Sequence, residues 1–336
     1  MTARSLEGLA DCDPRYRPTN FWGPGLEQLL ADMRGHGLSR FKSWPTAGFW
    51  FYPVYGNGFS YARIDALLPR AQEINPRVTA QWLRKSLTGG VEAGRDFDAA
   101  RLGWDQNRWP FDLEGFGEST VGEPPQRYSV SPAPDVRHGR PYLNYLLCLA
   151  ALSRHVTEPP RSFLELGGGY GVLGEIVMSR DPEARYVNLD IPPLLTVGTY
   201  YLTELFGRDR VLGPDDVAET GELHVPKSGC LPNWRLPDLT GRYDVFVNSY
   251  SFQEMEPDVV EHYVDRICEI GPGYVVSLNS TKGKPKKSDG HEIGVVEPVT
   301  SARIITMFEA RGYVLLSTYQ RPLIISAGEI AVLRRK

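Results

Sequence analysis

A carboxylate stands directly in front of a cluster of glycines in the segment FLELGGGYGVLG, residues 163–174. The carboxylate is Glu165, and the glycines behind it are Gly167, Gly168, Gly169, Gly171 and Gly174. Residues 169–174 satisfy the G-x-G-x-x-G spacing of a dinucleotide site, whose glycines let a pyrophosphate approach the backbone. Residues 165–171 also satisfy acidic-x-G-x-G-x-G, the spacing of an S-adenosylmethionine (SAM) site. Spacing alone leaves both ligands open.

Charge favours SAM over a dinucleotide at this turn. A dinucleotide rests its pyrophosphate on a helix N-terminus, and Glu165 at the mouth of the turn would repel that anion. SAM has no phosphate, and its sulfonium and ammonium groups suit a carboxylate. A second acid, Asp190, lies 19 residues beyond Gly171, where a carboxylate can accept hydrogen bonds from ribose hydroxyls. We therefore expect SAM as the cofactor.

The elements that must position these acids follow from an alternation of short apolar strands and helices after residue 161. The predicted strands are 162–166, 184–190, a third ending near 230–234, 243–250, 273–279, 313–319 and 329–335. Alternation of strands and helices predicts an α/β fold with a parallel sheet covered on both faces. The connection between the last two strands is too short for a crossover helix, so they should pair antiparallel. The expected fold is a Rossmann-like, doubly wound, mostly parallel sheet of seven strands with the last strand antiparallel.

The first half of the chain has a different texture. It is rich in aromatic residues and glycine, with weak helical patterns, and a Pro/Gly/Ser-rich connector covers residues 117–141. Residues 142–156 are apolar nearly all round, which predicts a buried helix. We therefore divide the chain into a helical or irregular accessory region at 1–155, which caps the substrate, and a SAM-binding domain at 156–336.

Composition narrows the class of protein. The 336 residues carry a net charge of −4 and a pI near 5.9, which argues against nucleic acid as a partner. No apolar run approaches the ~20 residues needed to span a bilayer, and the N-terminus lacks the apolar core of a signal peptide. The four cysteines are far apart, as expected of free thiols in a reducing compartment. We expect a cytoplasmic protein without membrane contact, whose partner is a small-molecule acceptor; a homodimer is the assembly considered.

Several segments together resemble a known family. The glycine turn and its two acids resemble the class I SAM-dependent methyltransferases over about 162–336. The segments DIPPLL…YYL (190–202), CLPNW (230–234), FVNSYSFQEM (246–255) and FK (41–42) are similar to the bacterial sugar O-methyltransferase family. This resemblance spans most of the chain, although it is looser in the N-terminal part.

The resemblance implies roles for individual residues. The methionine side of SAM would contact Glu165, Gly167, Gly169 and Gly171, and the ribose would contact Asp190. The adenine would pack against Ile191, with Leu231 and Trp234 as further candidates for its pocket. The end of the fourth strand would border the transferred methyl group through Asn248, Ser249 and Tyr250.

An alcohol acceptor must lose its proton as the new bond forms, which calls for a general base. Glu254, just after the fourth strand, is the first candidate, with Gln253 orienting the substrate alongside Tyr250. His291, in the long loop after the fifth strand, is the second candidate. Lysines 282, 284, 286 and 287 of that loop either attract a phosphate-bearing acceptor or form a solvated face. The acids near the strand ends lack a spacing that compels a metal.

These expectations lead to a SAM-dependent methyltransferase that transfers a methyl group in line to a hydroxyl of a sugar or a glycosylated natural product. The aromatic residues between 41 and 55 either line the acceptor pocket or form ordinary core. One alternative is an N-, C- or O-methyltransferase of an aromatic or amino-acid-derived secondary metabolite. Others are a non-catalytic SAM-binding subunit and, third, a dinucleotide oxidoreductase.

Overall fold

The apolar runs of the second half form a twisted sheet, as their pattern predicts. The structure is a computed structural model that describes residues 2–56, 61–109, 113, 115, 117–133, 135–288, 293–321, 323–324 and 328–336. Its strands are β1 (Ser162–Leu166), β2 (Arg185–Asp190), β3 (Val211–Leu212), β4 (Leu223–His224), β5 (Ser228–Pro232), β6 (Leu239–Thr240), β7 (Val245–Ser249), β8 (Tyr274–Ser280), β9 (Tyr313–Tyr319) and β10 (Gly328–Arg335).

The main sheet of the described residues has the strand order β3-β5-β2-β1-β7-β8-β10-β9. Its neighbouring strands pair in parallel except at β10, which is antiparallel to both β8 and β9. The predicted Rossmann-like fold is therefore confirmed, with the predicted antiparallel pair at its end. The additional strand, β3, is only two residues long and was absent from the predicted seven. β4 and β6 form a separate two-stranded sheet.

Helices cover both faces of the main sheet. They are α8 (Val172–Arg180), α9 (Leu194–Phe206), α10 (Pro257–Ile270) and α11 (Ser301–Glu309). α8 and α9 share one hydrophobic cluster, and α10 and α11 share another. The strand order reverses between β1 and β7, and open α/β sheets bind ligands at the carboxyl ends of the strands at such a point.

The N-terminal region is helical where the structure describes it. Its helices are α1 (Thr2–Asp11), α2 (Gly23–His36), α3 (Ala47–Trp50), α4 (Tyr61–Ile74), α5 (Ala80–Leu87), α6 (Gly90–Gly103) and α7 (Arg140–Ser153). Short 3₁₀ turns cover Pro14–Tyr16 and Leu38–Ser43.

The predicted linking helix is present as α7, and residues 141–153 are buried along its whole length. Such burial on every side follows from its apolar sequence, which leaves no polar face for solvent. Aromatic residues from α2 to α6 join the same hydrophobic cluster as α7, α8 and α9. Most of the accessory region thus packs over one face of the sheet without a separate core, while Tyr16 belongs to the cluster of α10 and α11. The boundary at 155/156 stays a prediction. Among the described residues, no helix is long and apolar enough to cross a membrane.

Candidate functional site

A cavity of about 430 Å³ opens at the carboxyl ends of β1, β2, β7 and β8. The N-terminal region closes it from above, with Pro18, Thr19, Trp22 and residues 49–51 in its wall. Eight of the residues predicted for the site line this cavity, namely Gly167, Gly169, Asp190, Ile191, Ser249, Tyr250, Gln253 and Glu254. Glu165, Gly171, Leu231, Trp234 and Asn248 are absent from the lining. His291 lies outside the described residues.

The glycine turn joins β1 to α8 through backbone conformations that favour glycine. Gly167, Gly169 and Gly171 have φ angles of +70°, +58° and +88°, which L side chains rarely adopt. A Cβ on Gly168 would lie 2.4 Å from Oε2 of Glu165. The turn therefore lies directly against the carboxylate that precedes it.

Glu165 is fully buried behind the turn. Its Oε1 accepts a hydrogen bond from Tyr145 Oη at 2.6 Å, and its Oε2 accepts one from Tyr186 Oη at 2.5 Å. Burial raises the pKa of Glu165 to about 7. Both of its oxygens accept hydrogen bonds from tyrosines, and Glu165 is absent from the cavity lining. Its contact with the cofactor stays a prediction, and its carboxylate packs against the turn.

The N–H groups of the turn are bonded within the protein. Gly168 N–H donates to Asn188 Oδ1 at 2.9 Å, and Gly169 N–H donates to Asp190 Oδ2 at 2.8 Å. Gly167 N–H donates to the Leu189 carbonyl, and Gly171 N–H donates to the Gly168 carbonyl. A phosphate needs such N–H groups free. The sequence argument missed Asn188, although a polar residue two places before Asp190 in a buried strand shares its face.

Asp190 connects the glycine turn to the cavity. Besides Gly169 N–H, it accepts the N–H of Ile191 on Oδ1 at 2.7 Å. The side chain is buried, and burial raises the pKa of Asp190 to about 7. Each carboxylate oxygen can accept more than one hydrogen bond. Asp190 can therefore also accept hydrogen bonds from a pair of ligand hydroxyls.

Leu231 and Trp234, both predicted for the adenine pocket, lie elsewhere. Leu231 belongs to the core beneath α10 and α11, and the Trp234 ring packs on Gly8 of α1. Asn233 lines the cavity in their place. Its Nδ2 donates to the Tyr16 carbonyl and to Tyr263 Oη, both at 2.7 Å. Its Oδ1 has no hydrogen-bond partner among the described residues. The sequence argument missed Asn233, although its position directly after β5 could have indicated a residue of the cavity.

Two predicted residues, Asn248 within β7 and Gln253 in the turn after it, hold the backbone of the site. Asn248 is buried, its Nδ2 donates to the Leu166 carbonyl at 3.1 Å, and its Oδ1 accepts from Phe252 N–H at 3.1 Å. Gln253 Oε1 accepts the N–H of Ser280 at 2.6 Å, which fixes the end of β8. Ser249 and Tyr250, which lie between Asn248 and Gln253 in the chain, line the cavity. Tyr250 has a left-handed φ of +64°.

Glu254 is buried in a 3₁₀ turn, Phe252–Glu254, and its carboxylate faces the cavity. Trp22 Nε1 donates to Oε2 at 2.8 Å, and Lys284 Nζ lies 2.8 Å from Oε1. Burial raises the pKa of Glu254, while the Lys284 ammonium and the Trp22 N–H limit the rise. Of the four loop lysines, Lys284 lines the cavity, and its charge is directed to Glu254.

The aromatic segment divides between the cavity wall and the buried core, and an acceptor pocket there stays a prediction. Phe49, Trp50 and Phe51 line the cavity beside Trp22, whose ring centroid lies 5.0 Å from that of Trp50. The remaining aromatic residues of the segment are buried core, namely Phe41, Trp44, Tyr52 and Tyr55. Aromatic faces form a wall on which a planar ring or a sugar ring can stack.

The accessory region and the glycine turn are joined by hydrogen bonds and an ion pair around a buried lysine. Lys42 Nζ lies 2.7 Å from Glu118 Oε1 and 3.0 Å from Tyr201 Oη. Tyr201 donates to Glu175 of α8 at 2.7 Å, and Tyr170 of the turn donates to Glu118 at 3.3 Å. Burial raises the pKa of Glu175 to about 7. Removing such a buried cation would leave carboxylates without a counter-charge.

The described residues contain no group of three His, Cys, Asp or Glu side chains that could hold a metal ion. The cavity combines a carboxylate suited to hydroxyls, an Asn233 amide oxygen that has no partner in the described part of the chain, an aromatic wall and the buried acid Glu254. Such a site can hold a nucleoside without phosphates beside a second, ring-containing molecule.

Comparison with known proteins gives distant likenesses only. No family model matches the chain, and no curated protein matches it. Among solved structures, the pyocyanin biosynthetic protein PhzM has a TM-score of 0.39 and 17% identity, covering 58% of this chain and 58% of PhzM. The mitomycin 7-O-methyltransferase MmcR has a TM-score of 0.40 and 13% identity, covering 98% of this chain and 75% of MmcR. Magnesium protoporphyrin IX methyltransferase from Synechocystis PCC 6803, with bound SAM, has a TM-score of 0.37 and 13% identity, covering 53% and 71%.

Proposed function

We propose that this chain is a SAM-dependent methyltransferase that methylates a hydroxyl of a sugar or a glycosylated small molecule. The observation that carries the choice of cofactor is the bonding of the glycine turn. The N–H groups of Gly168 and Gly169 are bonded to Asn188 and Asp190, so they are not available to a pyrophosphate. A nucleoside that needs Asp190 for its ribose and no phosphate contact fits this turn.

The nucleoside would extend from the glycine turn to Asn233. Its ribose hydroxyls would donate to Asp190, and its adenine would lie against Ile191, which lines the cavity beside Asp190. The exocyclic amine of adenine can donate a hydrogen bond to Asn233 Oδ1, which is buried and has no partner among the described residues. Satisfying a buried acceptor removes a desolvation penalty of about 1–3 kcal/mol.

The chemistry we assign to the site is an in-line displacement. An acceptor oxygen attacks the methyl carbon of SAM, the carbon–sulfur bond breaks, and the sulfur leaves as a neutral thioether. The acceptor proton moves to the Glu254 carboxylate as the new bond forms. A general base of this kind contributes typically 10²–10⁴-fold to a rate, and alignment of the reacting atoms supplies much of the remainder.

The aromatic wall favours a ring-containing acceptor. Trp22, Trp50 and Phe51 line the cavity next to Glu254. Because their faces stack on aromatic rings as readily as on sugars, a phenolic or amino-acid-derived metabolite is the second candidate acceptor.

Titration calorimetry on one protein sample with S-adenosylhomocysteine (SAH) and NAD tests the cofactor. We expect SAH to bind and NAD to give no heat of binding. Binding of NAD without SAH would overturn the proposal. Incubation of cell extracts with methyl-labelled SAM, followed by mass spectrometry, then identifies the acceptor.

The Glu254→Gln variant tests the chemistry. We expect SAH affinity to persist and methyl transfer to fall by at least 10²-fold, because the amide cannot take the proton. Unchanged turnover in this variant would remove Glu254 from the mechanism. Strong SAH binding by the wild-type protein without turnover of any acceptor would favour a non-catalytic subunit.

A further inference from the structure

Two polar residues of α7 line the cavity, and the site described so far does not use them. Arg140 and Asn144 are four residues apart, so they lie on the same face of the helix, and both line the cavity. Asn144 is 4% exposed, and its buried Oδ1 has no hydrogen-bond partner among the described residues. A buried acceptor in that condition is costly unless a ligand supplies the donor.

Within the described residues, the positive charge of Arg140 has no carboxylate partner. Its Nη1 donates to the Val54 carbonyl at 3.0 Å, and its guanidinium lies 5.4 Å from the centre of the Tyr55 ring. Its buried Nε has no partner, and within the described residues no acid lies at ion-pair distance. A guanidinium carries five N–H donors and pairs best with a carboxylate or phosphate. Arg140 therefore has donors left for an anion.

The position of α7 places this pair near the glycine turn. Tyr145, the neighbour of Asn144 on α7, donates to Glu165 at the end of β1. Glu165 itself is fully buried behind the turn, bonded to Tyr145 and Tyr186, and it does not line the cavity. The turn therefore offers no direct charge contact to the amino-acid group of a cofactor, whereas α7 offers a cation and a free acceptor.

We propose that Arg140 and Asn144 bind the amino-acid end of the cofactor, Arg140 taking the α-carboxylate and Asn144 Oδ1 taking the α-ammonium. The inference rests on the proposed function, since it concerns the same cofactor. A zwitterion needs one cationic group and one acceptor side by side, and the face of α7 supplies both. The carboxylate and the ammonium of the ligand would thereby bond to the Arg140 guanidinium and to Asn144 Oδ1.

The test compares three ligands by titration calorimetry on the full chain. They are SAH, its decarboxylated analogue, and 5′-methylthioadenosine, which has the same nucleoside but no amino-acid group. The Arg140→Met variant should weaken SAH binding about 10- to 100-fold, as expected for a lost hydrogen bond between charged groups. It should leave the affinities for the decarboxylated analogue and for methylthioadenosine within about twofold, since neither ligand has the carboxylate.

The Asn144→Leu variant should weaken both ligands that carry the ammonium and leave methylthioadenosine unchanged. Asn144→Asp should retain SAH binding because it keeps an acceptor. Arg266→Met, which removes an exposed cation paired with Glu269 on α10, is the control and should bind all three ligands as the wild type does. Retained methylthioadenosine binding also shows that each variant is folded.

Three results would overturn the assignment. One is an unchanged SAH affinity in both variants, and another is an equal loss for SAH and methylthioadenosine. The third is a change confined to the KM of the acceptor, which would assign the pair to the acceptor. If the wild-type protein binds none of the three ligands, the proposed function itself fails, and that outcome is distinct from the others.

Discussion

Asp190 should make nucleoside binding depend on pH. Burial raises the pKa of its carboxyl group to about 7 in the free protein. A protonated carboxyl group has lost part of its acceptor capacity and its charge, so a pair of ribose hydroxyls binds the ionised form much more tightly. Affinity should therefore rise as pH increases through 7, and it should level off above pH 8.

The size of the effect follows from the ionised fraction. With a pKa near 7, about one Asp190 in eleven is ionised at pH 6 and about ten in eleven at pH 8, and the apparent Kd scales inversely with that fraction. The Kd should thus fall about tenfold from pH 6 to pH 8. Asp190→Asn should bind about 10- to 100-fold more weakly at pH 8, because hydrogen bonds to a charged group are worth about 1.5–3 kcal/mol.

The assay is titration calorimetry with 5′-methylthioadenosine at pH 6, 7 and 8. This ligand has no amino-acid group, so the slope reports on the protein alone. Glu165 also has a pKa of about 7, and the Glu165→Gln variant controls for it. The slope should disappear in Asp190→Asn and persist in Glu165→Gln. The reasoning is refuted if Asp190→Asn binds as tightly as the wild type at pH 8, or if it keeps the tenfold slope.

Three further changes test the scaffold around the cavity. Gly168→Ala should lower the free energy of unfolding in urea by about 1–3 kcal/mol, because the added Cβ meets the buried carboxylate of Glu165. Gly35→Ala is the control and should lose no stability, because a Cβ added at Gly35 has no neighbouring atom within 4 Å. Lys42→Met should lower the same quantity by about 3–5 kcal/mol at pH 8, with a smaller loss at pH 5, because Glu175 has a pKa of about 7 and is protonated there. A loss below about 1 kcal/mol at both pH values would contradict the network. Lys284→Met removes the cation that lowers the pKa of Glu254, so the acidic limb of kcat/KM should move to higher pH; an unmoved limb would mean that Glu254 is not the base.

The sequence determined the sheet and the ends of its strands. Apolar runs of five to eight residues separated by helical patterns specify β1, β2, β5, β7 to β10 and the helices between them, because periodicity is a local property. The glycine turn and Asp190 followed directly, since the carboxyl ends of neighbouring parallel strands meet at one edge. The insertion of β10 between β8 and β9 needed the whole sheet, because pairing order is not written in any one segment.

The tertiary structure decided which polar atoms the ligand can reach. Glu165 stands at the predicted strand end, yet hydroxyls from Tyr145 and Tyr186 occupy it. Asn144 and Asn233 lie outside the glycine motif. Where α7 and the end of β5 pack leaves their oxygens buried, without a partner among the described residues. The local sequence pattern determines the position of a residue in its strand or helix, whereas the partners of its side chain come from segments far away in the chain. Burial, pKa and ligand contact depend on those partners.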